Sequence, residues 1–439
     1  MYIIKKYQFI FPLTLLLLLC LYSLEVIDIF YISWGLLLTQ IIYAFNYSSF
    51  RPLVFLILFG LTYNLAIHLH IIYPDFPLTL GYLDFNYDIY HYKTLILVAV
   101  FWCVMFLFLP FKNVDNIIIA DNFKVKNNFN LFFFFLIILL IIALFGRTGS
   151  SIFSSFGYGS SNYKVQNLFG LSIFEYYIMF FPLCYYYSGK IKSRLRLLNL
   201  LTVYYIFKSV SFGGRIEVLQ LMFMLYIIIF DEKRIGSKKL GLIIFTFILL
   251  LIGFGIFRSD SNQSFYFLIS FVSENLNDSI KSISYLLFAH QIDVIYSSSR
   301  LIGLVQEGYI SNWDRLVLYF GNLAAIITPY KFLPSDTNMS IIEKEQFSSG
   351  GGGLIASYYY VKSSIVGVIF IASYIGFNLR IYLKSKSNNL HLLYVIMLLS
   401  TFPRWYAYNP IVIFKMCFYP VIILLIIKFL SNSYTSKIK

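Results

Sequence analysis

Long apolar stretches recur along the whole chain and constrain its fold more than any other feature. A helix needs about 20 apolar residues to cross roughly 30 Å of hydrocarbon. Hydrophobic residues make up 59% of the 439 residues and charged residues only 12%, which excludes a water-soluble globule and intrinsic disorder. The sequence predicts an all-α polytopic membrane protein with about twelve transmembrane helices. Their approximate ranges are 8–24, 27–45, 52–73, 94–111, 130–146, 169–188, 196–212, 214–230, 240–257, 362–383, 390–408 and 410–430.

The charges in the connecting loops predict an orientation. Lysine and arginine concentrate in every second loop, at 112–126, 190–196, 233–239 and 384–386, whereas the 74–92 loop is acidic. Because basic loops of membrane proteins stay in the cytoplasm, both termini are expected to be cytoplasmic. The same cytoplasmic excess accounts for the formal net charge of +14. The sequence has no basic cluster with interleaved aromatic residues, so no nucleic-acid partner is expected.

One predicted outer loop is much longer than the others. It divides the chain into helices one to nine at 1–257, the large outer loop at 258–353 and helices ten to twelve at 354–439. The loop holds nine of the 20 acidic residues of the chain. Inside it, apolar residues recur at helical spacing and predict an amphipathic helix on the outer surface. These residues are Ile280, Ile283, Leu287 and Val294, with His290 on the same stripe.

Several cations fall within or beside the apolar runs, where a charge at the bilayer centre costs about 2.5–3.5 kcal/mol. Lys208 and Arg215 lie two helical turns apart on one face. Arg258 ends the ninth run, and Arg404 lies in the eleventh. The three arginines map to the outer rim of the membrane, with almost no carboxylates in the runs to pair with them. Either each guanidinium reaches the outer headgroups, or the group binds an anionic ligand such as a lipid-linked pyrophosphate.

Other chemistries lack their sequence signatures. There is no G-x-x-x-x-G-K-[ST] phosphate loop, no H-E-x-x-H and no D-x-D pair, so neither a catalytic metal nor another cofactor is expected. The run Gly350, Gly351, Gly352 and Gly353 has two interpretations of equal weight. Its backbone N–H groups could cradle phosphate, or it could be a flexible hinge.

Three patches of the chain resemble the O-antigen polymerases, the Wzy-type oligosaccharide repeat-unit polymerases. The first is Ser211-Phe212-Gly213-Gly214-Arg215 before an apolar helix, and the second is the large outer loop. The third is Ser349-Gly350-Gly351-Gly352-Gly353-Leu354-Ile355-Ala356-Ser357-Tyr358-Tyr359-Tyr360, followed by Gly367 and a span. Relatives often carry an acidic residue near that helix start, where this chain has Ser357.

The resemblance implies a bacterial inner-membrane enzyme with a glycosyltransferase-C-like fold that works on the periplasmic side. Such enzymes move a growing glycan from one undecaprenyl pyrophosphate carrier onto another carrier-linked repeat unit. The implied partners are the undecaprenyl-pyrophosphate-linked oligosaccharide, membrane lipid and a membrane protein that regulates chain length.

For this reaction we expect the pyrophosphates to be bound by Arg215, Arg258 and Arg404, with Lys208 as a weaker fourth ligand. A general base should come from the large loop. His290 and Asp293 share a helical face and could act as base and orienting partner. Alternatively, His290 is only packed on its apolar stripe. Other possible bases are Asp260, Asp278 and Glu307.

Three other functions share some of these sequence features. A lipid-linked oligosaccharide flippase would also have about twelve spans and internal cations, but it needs no large outer loop. An O-antigen ligase differs mainly in its acceptor, so the sequence separates it poorly. An ion-coupled transporter would show paired broken helices in two halves, and no such halves are visible.

Overall fold

The computed structural model describes the chain at residues 9–73, 88–110, 119, 123–148, 164–165, 167–168, 171–211, 215–230, 280–328, 332–334, 352–384 and 388–436. Its helices are α1 (Ile10–Ser23), α2 (Ile29–Asn46), α3 (Arg51–Ile72), α4 (Asp88–Phe108), α5 (Phe129–Phe145), α6 (Tyr176–Tyr187), α7 (Lys192–Ser211), α8 (Arg215–Leu225), α9 (Ile280–Gln306), α10 (Asn312–Ile327), α11 (Ile355–Lys384), α12 (Asn389–Ser400), α13 (Phe402–Ala407) and α14 (Val412–Ser436). Two-residue strands pair as β1 (Arg147–Thr148) with β2 (Lys164–Val165), and as β3 (Asn167–Leu168) with β4 (Leu171–Ser172).

Within the described residues, five helices are long and apolar enough to cross a membrane, as expected of a helical membrane protein. The candidate spans are Ile29–Asn46, Arg51–Ile72, Tyr90–Phe108, Ile355–Lys384 and Val412–Ser431. Shorter apolar helices cover Ile10–Ser23, Phe129–Phe145, Ile216–Ile229 and Asn389–Ser400. The ninth predicted span, 240–257, lies outside the described residues. The count of twelve spans stays a prediction.

The chain forms two compact units. The first, unit 1, comprises Met1–Ile117, Lys281–Lys386 and Phe402–Ile411. Close aromatic packing joins its helices: Gly60 of α3 lies against the Trp102 ring of α4, and Trp102 Nε1 donates a hydrogen bond to the Tyr406 hydroxyl at 3.1 Å. Both aromatic side chains are fully buried. A β-carbon at position 60 would collide with the indole, so the small residue permits this contact.

Helix α11 of unit 1 is broken within its length. Ser363 and Ser364 have non-helical backbone angles, and Ser364 has φ of 59°. In an unbroken helix, the carbonyls of Tyr360 and Val361 would pair with the next turn. Here they accept hydrogen bonds from Nη2 and Nε of Arg315, both at 2.8 Å. An arginine from α10 therefore completes the end of the first helical segment.

Helix α9 lies in the segment expected to be an outer loop. The predicted helix is present, but the described part of it does not lie on the surface. It packs against α3 and α4, and Ile292, Val294 and Ile295 are fully buried. Apolar and small side chains occur on more than one face of α9, so this helix can pack against neighbours on several sides.

The other unit comprises Ile118–Ile280, Ser387–Thr401 and Val412–Lys439, and we call it unit 2. Its α6 and α7 meet through stacked rings, with Tyr205 against Tyr177 at 4.0 Å and against Phe174, just before α6, at 4.2 Å between centroids. The Tyr205 hydroxyl donates to the Phe174 carbonyl at 2.9 Å. Phe174 belongs to a single 3₁₀ turn, Ile173–Glu175, whose capping box begins at Ser172. That turn orients the start of α6.

Candidate functional site

A line of polar residues runs along α9 inside unit 1. Ser297, Ser298 and Ser299 are all fully buried. The Ser299 hydroxyl shares hydrogen bonds with His91 Nδ1 at 2.8 Å and with the Thr94 hydroxyl at 3.1 Å. Since buried polar groups require partners, these contacts fix α9 against the first turns of α4.

Asp293 lies on α9 beside the second half of α3. The hydroxyl of Tyr63 is hydrogen-bonded to Tyr408 and lies within electrostatic range of the Asp293 carboxyl. Burial raises the pKa of this carboxyl above its ordinary value, because desolvation penalises the charged form. A carboxylate with a raised pKa is a better proton acceptor than an exposed one. His290 lies one turn earlier in the backbone of α9, and its side chain is outside the described residues.

The described part of the glycine run lies next to this acid-bearing region. A β-carbon on Gly352 would collide with the carbonyl oxygen of Tyr408, and one on Gly353 would lie 3.2 Å from Ser298 Oγ. The same Ser298 hydroxyl accepts the Leu354 N–H at 2.7 Å. The backbone here needs glycine for close packing, which favours a fixed segment over a hinge at these two positions. Gly350 and Gly351 lie outside the described residues.

Arg404 is carried by the short helix α13, which also leads into Tyr408. The Arg404 carbonyl accepts the backbone N–H groups of Tyr408 at 3.1 Å and of Asn409 at 2.8 Å. Unit 1 therefore brings together a carboxyl, two of the predicted glycines and the turn that bears one predicted arginine, and Tyr408 contacts or adjoins each part. Tyr63 and Tyr408 were not predicted, because no local pattern distinguishes them from other tyrosines of the apolar runs.

Lys208 has a clear structural role in unit 2. It is buried, and its ammonium donates hydrogen bonds to the carbonyls of Ala143 at 2.8 Å and Leu144 at 2.5 Å. These carbonyls belong to the last turn of α5, which a helix leaves without internal partners. A cation at that end also interacts favourably with the helix dipole. A pyrophosphate-binding role for Lys208 stays a prediction that must compete with these bonds.

The remaining predicted arginines have no described side chains. Arg215 begins α8 in the backbone only, and Arg258 lies outside the described residues. Their predicted contact with pyrophosphate stays a prediction. Within the described part of the chain, no group of three His, Cys, Asp or Glu side chains is placed to hold a metal ion.

Two cations that the sequence did not single out occur at the break in α11. Besides Arg315, Lys362 is buried, donates to Asn322 Oδ1 at 2.8 Å and lies over the Tyr359 ring at 5.5 Å. Their hydrogen-bond partners lie 40 to 46 residues away in sequence, so no local signal could have revealed them.

Comparison with known proteins adds no relative. The chain matches no protein-family model, no curated protein and no solved structure.

Proposed function

We propose that this protein is a membrane glycosyltransferase that polymerises lipid-linked oligosaccharide repeat units, as an O-antigen polymerase does. In this proposal twelve helices cross the bacterial inner membrane, both termini are cytoplasmic, and the reaction occurs at the periplasmic face. The outer segment 258–353 contributes α9 to the active site.

The observation that carries the proposal is the arrangement around Tyr408 in unit 1. Asp293 follows Gln291, whose amide donates to the Thr62 hydroxyl at 3.3 Å, so this part of α9 lies beside Tyr63, which is bonded to Tyr408. Gly352 packs against the Tyr408 backbone, and Arg404 begins the turn that ends at Tyr408. A proton acceptor and a guanidinium are two groups that this transfer needs.

In the proposed reaction, a hydroxyl of the acceptor sugar attacks the anomeric carbon of the donor glycan. The new glycosidic C–O bond forms as the bond from that carbon to the pyrophosphate oxygen breaks, and the lipid pyrophosphate leaves with the electron pair. Asp293 receives the hydroxyl proton. Arg404 stabilises the negative charge on the leaving pyrophosphate.

The test is to delete the gene for this chain in its own strain, and then to complement the deletion with variant genes. The deletion should leave single repeat units on lipid A, because ligation still occurs without polymerisation. A deletion that leaves no glycan on lipid A would instead indicate a ligase or a flippase, and would overturn the proposal.

The choice of base is tested in the same strain. Asp293→Asn should lower polymerisation by about 10²- to 10⁴-fold, the usual contribution of a general base, with unchanged protein in the membrane. Glu307→Gln is the matched control. It lies at the end of the same helical region, is exposed and accepts a hydrogen bond from Tyr90 at 3.0 Å. Full chain length with Asp293→Asn, or its loss with Glu307→Gln, would move the base to another residue.

A further inference from the structure

We propose that α10 lies in one leaflet of the bilayer, with its exposed apolar face in contact with lipid acyl chains. The segment that contains it was expected to be an outer loop, and α10 is too short to cross the membrane. At 1.5 Å per residue, its 16 residues extend only about 24 Å, against roughly 30 Å of hydrocarbon.

One face of α10 is apolar and uncovered. Its side chains recur at intervals of three and four residues, the spacing of a helical stripe, and each is substantially exposed: Trp313 72%, Leu316 49%, Phe320 63%, Leu323 44% and Ile327 81%. Soluble surfaces rarely expose so many large apolar side chains together.

The opposite face of α10 packs against other helices of unit 1. Leu318 is fully buried in a cluster with Leu301 of α9 and Val361 of α11. Asn322 accepts the hydrogen bond from Lys362, and Arg315 holds the carbonyls at the break in α11. These contacts leave the apolar stripe on the outside.

The break in α11 locates this attachment. Helix α11 starts beside Ser298, whose neighbour Ser299 is bonded to His91 near the beginning of α4. Further along, Gly376 of α11 packs against Met105 near the end of α4. The break at Ser363–Ser364 lies inside the candidate span Ile355–Lys384. Side chains of α10 that bind the break are therefore attached to a candidate membrane span.

Lipid fits the exposed stripe better than water or a second protein does. Exposed apolar side chains also follow the break on a candidate span, at Ile365, Val366 and Phe370. The stripe on α10 is therefore apolar and exposed in the same way as this span. The first turn of α10 is polar, with exposed Ser311, Asn312 and Asp314 in and beside a capping box. Trp313 lies between the polar turn and the apolar stripe, as interfacial tryptophans do in membrane proteins.

Tryptophan fluorescence tests this placement in the full-length protein reconstituted into phosphatidylcholine vesicles. The chain has four tryptophans; Trp102 and Trp405 are fully buried, whereas Trp313 and Trp34 are exposed. The emission lost in Trp313→Phe reports Trp313 alone. We expect that emission to be quenched when the acyl chains carry bromine, and not by iodide added to the water.

Trp34→Phe is the matched control, because Trp34 lies on α2, a candidate span, and should be quenched by the brominated lipid in either case. A second reporter is Phe320→Trp in the double Trp34→Phe, Trp313→Phe background, which should be quenched more by bromine deep in the acyl chains than by bromine near the headgroups. Quenching of Trp313 by iodide would place the stripe in water. Protection from both quenchers would indicate a protein cover, such as a second copy of the chain. Either result would overturn the proposal.

Discussion

Lys208 in unit 2 and Asp293 in unit 1 are both ionisable residues in or beside predominantly apolar helices, but their surroundings differ. The Lys208 ammonium is bonded to two carbonyls at the end of α5. Asp293 lies instead among side chains, near Tyr63 and the Tyr408 turn. A charge in an apolar segment therefore does not by itself identify a ligand site. The first question is whether a nearby helix end already binds it.

The first prediction concerns the glycine backbone in unit 1, which also contains Asp293. Gly352→Ala forces a β-carbon into the Tyr408 carbonyl, and should destabilise unit 1 by about 3 kcal/mol. Gly353→Ala, whose β-carbon meets Leu301 at 3.1 Å, should cost less than about 1 kcal/mol. Thermal unfolding of the two purified variants measures the difference. Equal midpoints would mean that the glycine segment does not pack on Tyr408.

The second prediction tests the role of Lys208. Lys208→Met keeps the side-chain length but leaves the Ala143 and Leu144 carbonyls without their donor, which should cost about 2 kcal/mol of stability. The unfolding midpoint should fall, while activity per folded molecule is retained. If activity disappears and the midpoint is unchanged, Lys208 binds substrate and the contrast with Asp293 is lost.

The third prediction concerns pH dependence. Because burial raises the pKa of Asp293, its carboxylate is lost as pH falls through that raised value. The rate of glycan extension should then decrease about tenfold per pH unit below the pKa, and this decrease should begin at a higher pH than for an ordinary aspartate. Initial rates with purified protein and lipid-linked repeat units measure it. An acid limb in the ordinary aspartate range would show that burial does not tune this group.

The smallest expected effect is at the break in α11, where a cation again binds helix carbonyls. Ser364 has a positive φ that favours glycine, so Ser364→Gly should relieve about 1 kcal/mol of strain. Ser363→Gly is the control, because Ser363 has φ of −146° and gains no such relief. A rise in the unfolding midpoint for Ser364→Gly alone supports the strained break. Equal changes in both variants contradict it.

Much of the helical layout follows from hydrophobic runs. The predicted span 52–73 corresponds closely to α3, Arg51–Ile72, because every turn there is apolar. The run 169–188 is less regular: β4 and a 3₁₀ turn precede α6, which starts only at Tyr176. The capping box at Ser172 sets that start, and hydropathy does not register it.

The candidate site was only partly predictable. Helical spacing identified the stripe on α9 that includes His290 and suggested Asp293, but it could not show that α9 packs beside α3. The bonds of Lys208 to two carbonyls could not be predicted, because those carbonyls lie more than 60 residues away in sequence. The break in α11 was missed, since consecutive serines are compatible with an unbroken helix.

The guanidinium of Arg315 couples α10 to α11 mechanically. It links the backbone at Tyr360 and Val361 to α10, and the same helical segment begins two residues after Gly353. If α10 lies in the bilayer as proposed, a change in membrane thickness that displaces it acts on the glycine segment through this link. For the proposed polymerase, lipid chain length should therefore influence the rate of glycan transfer without altering Asp293 or Arg404.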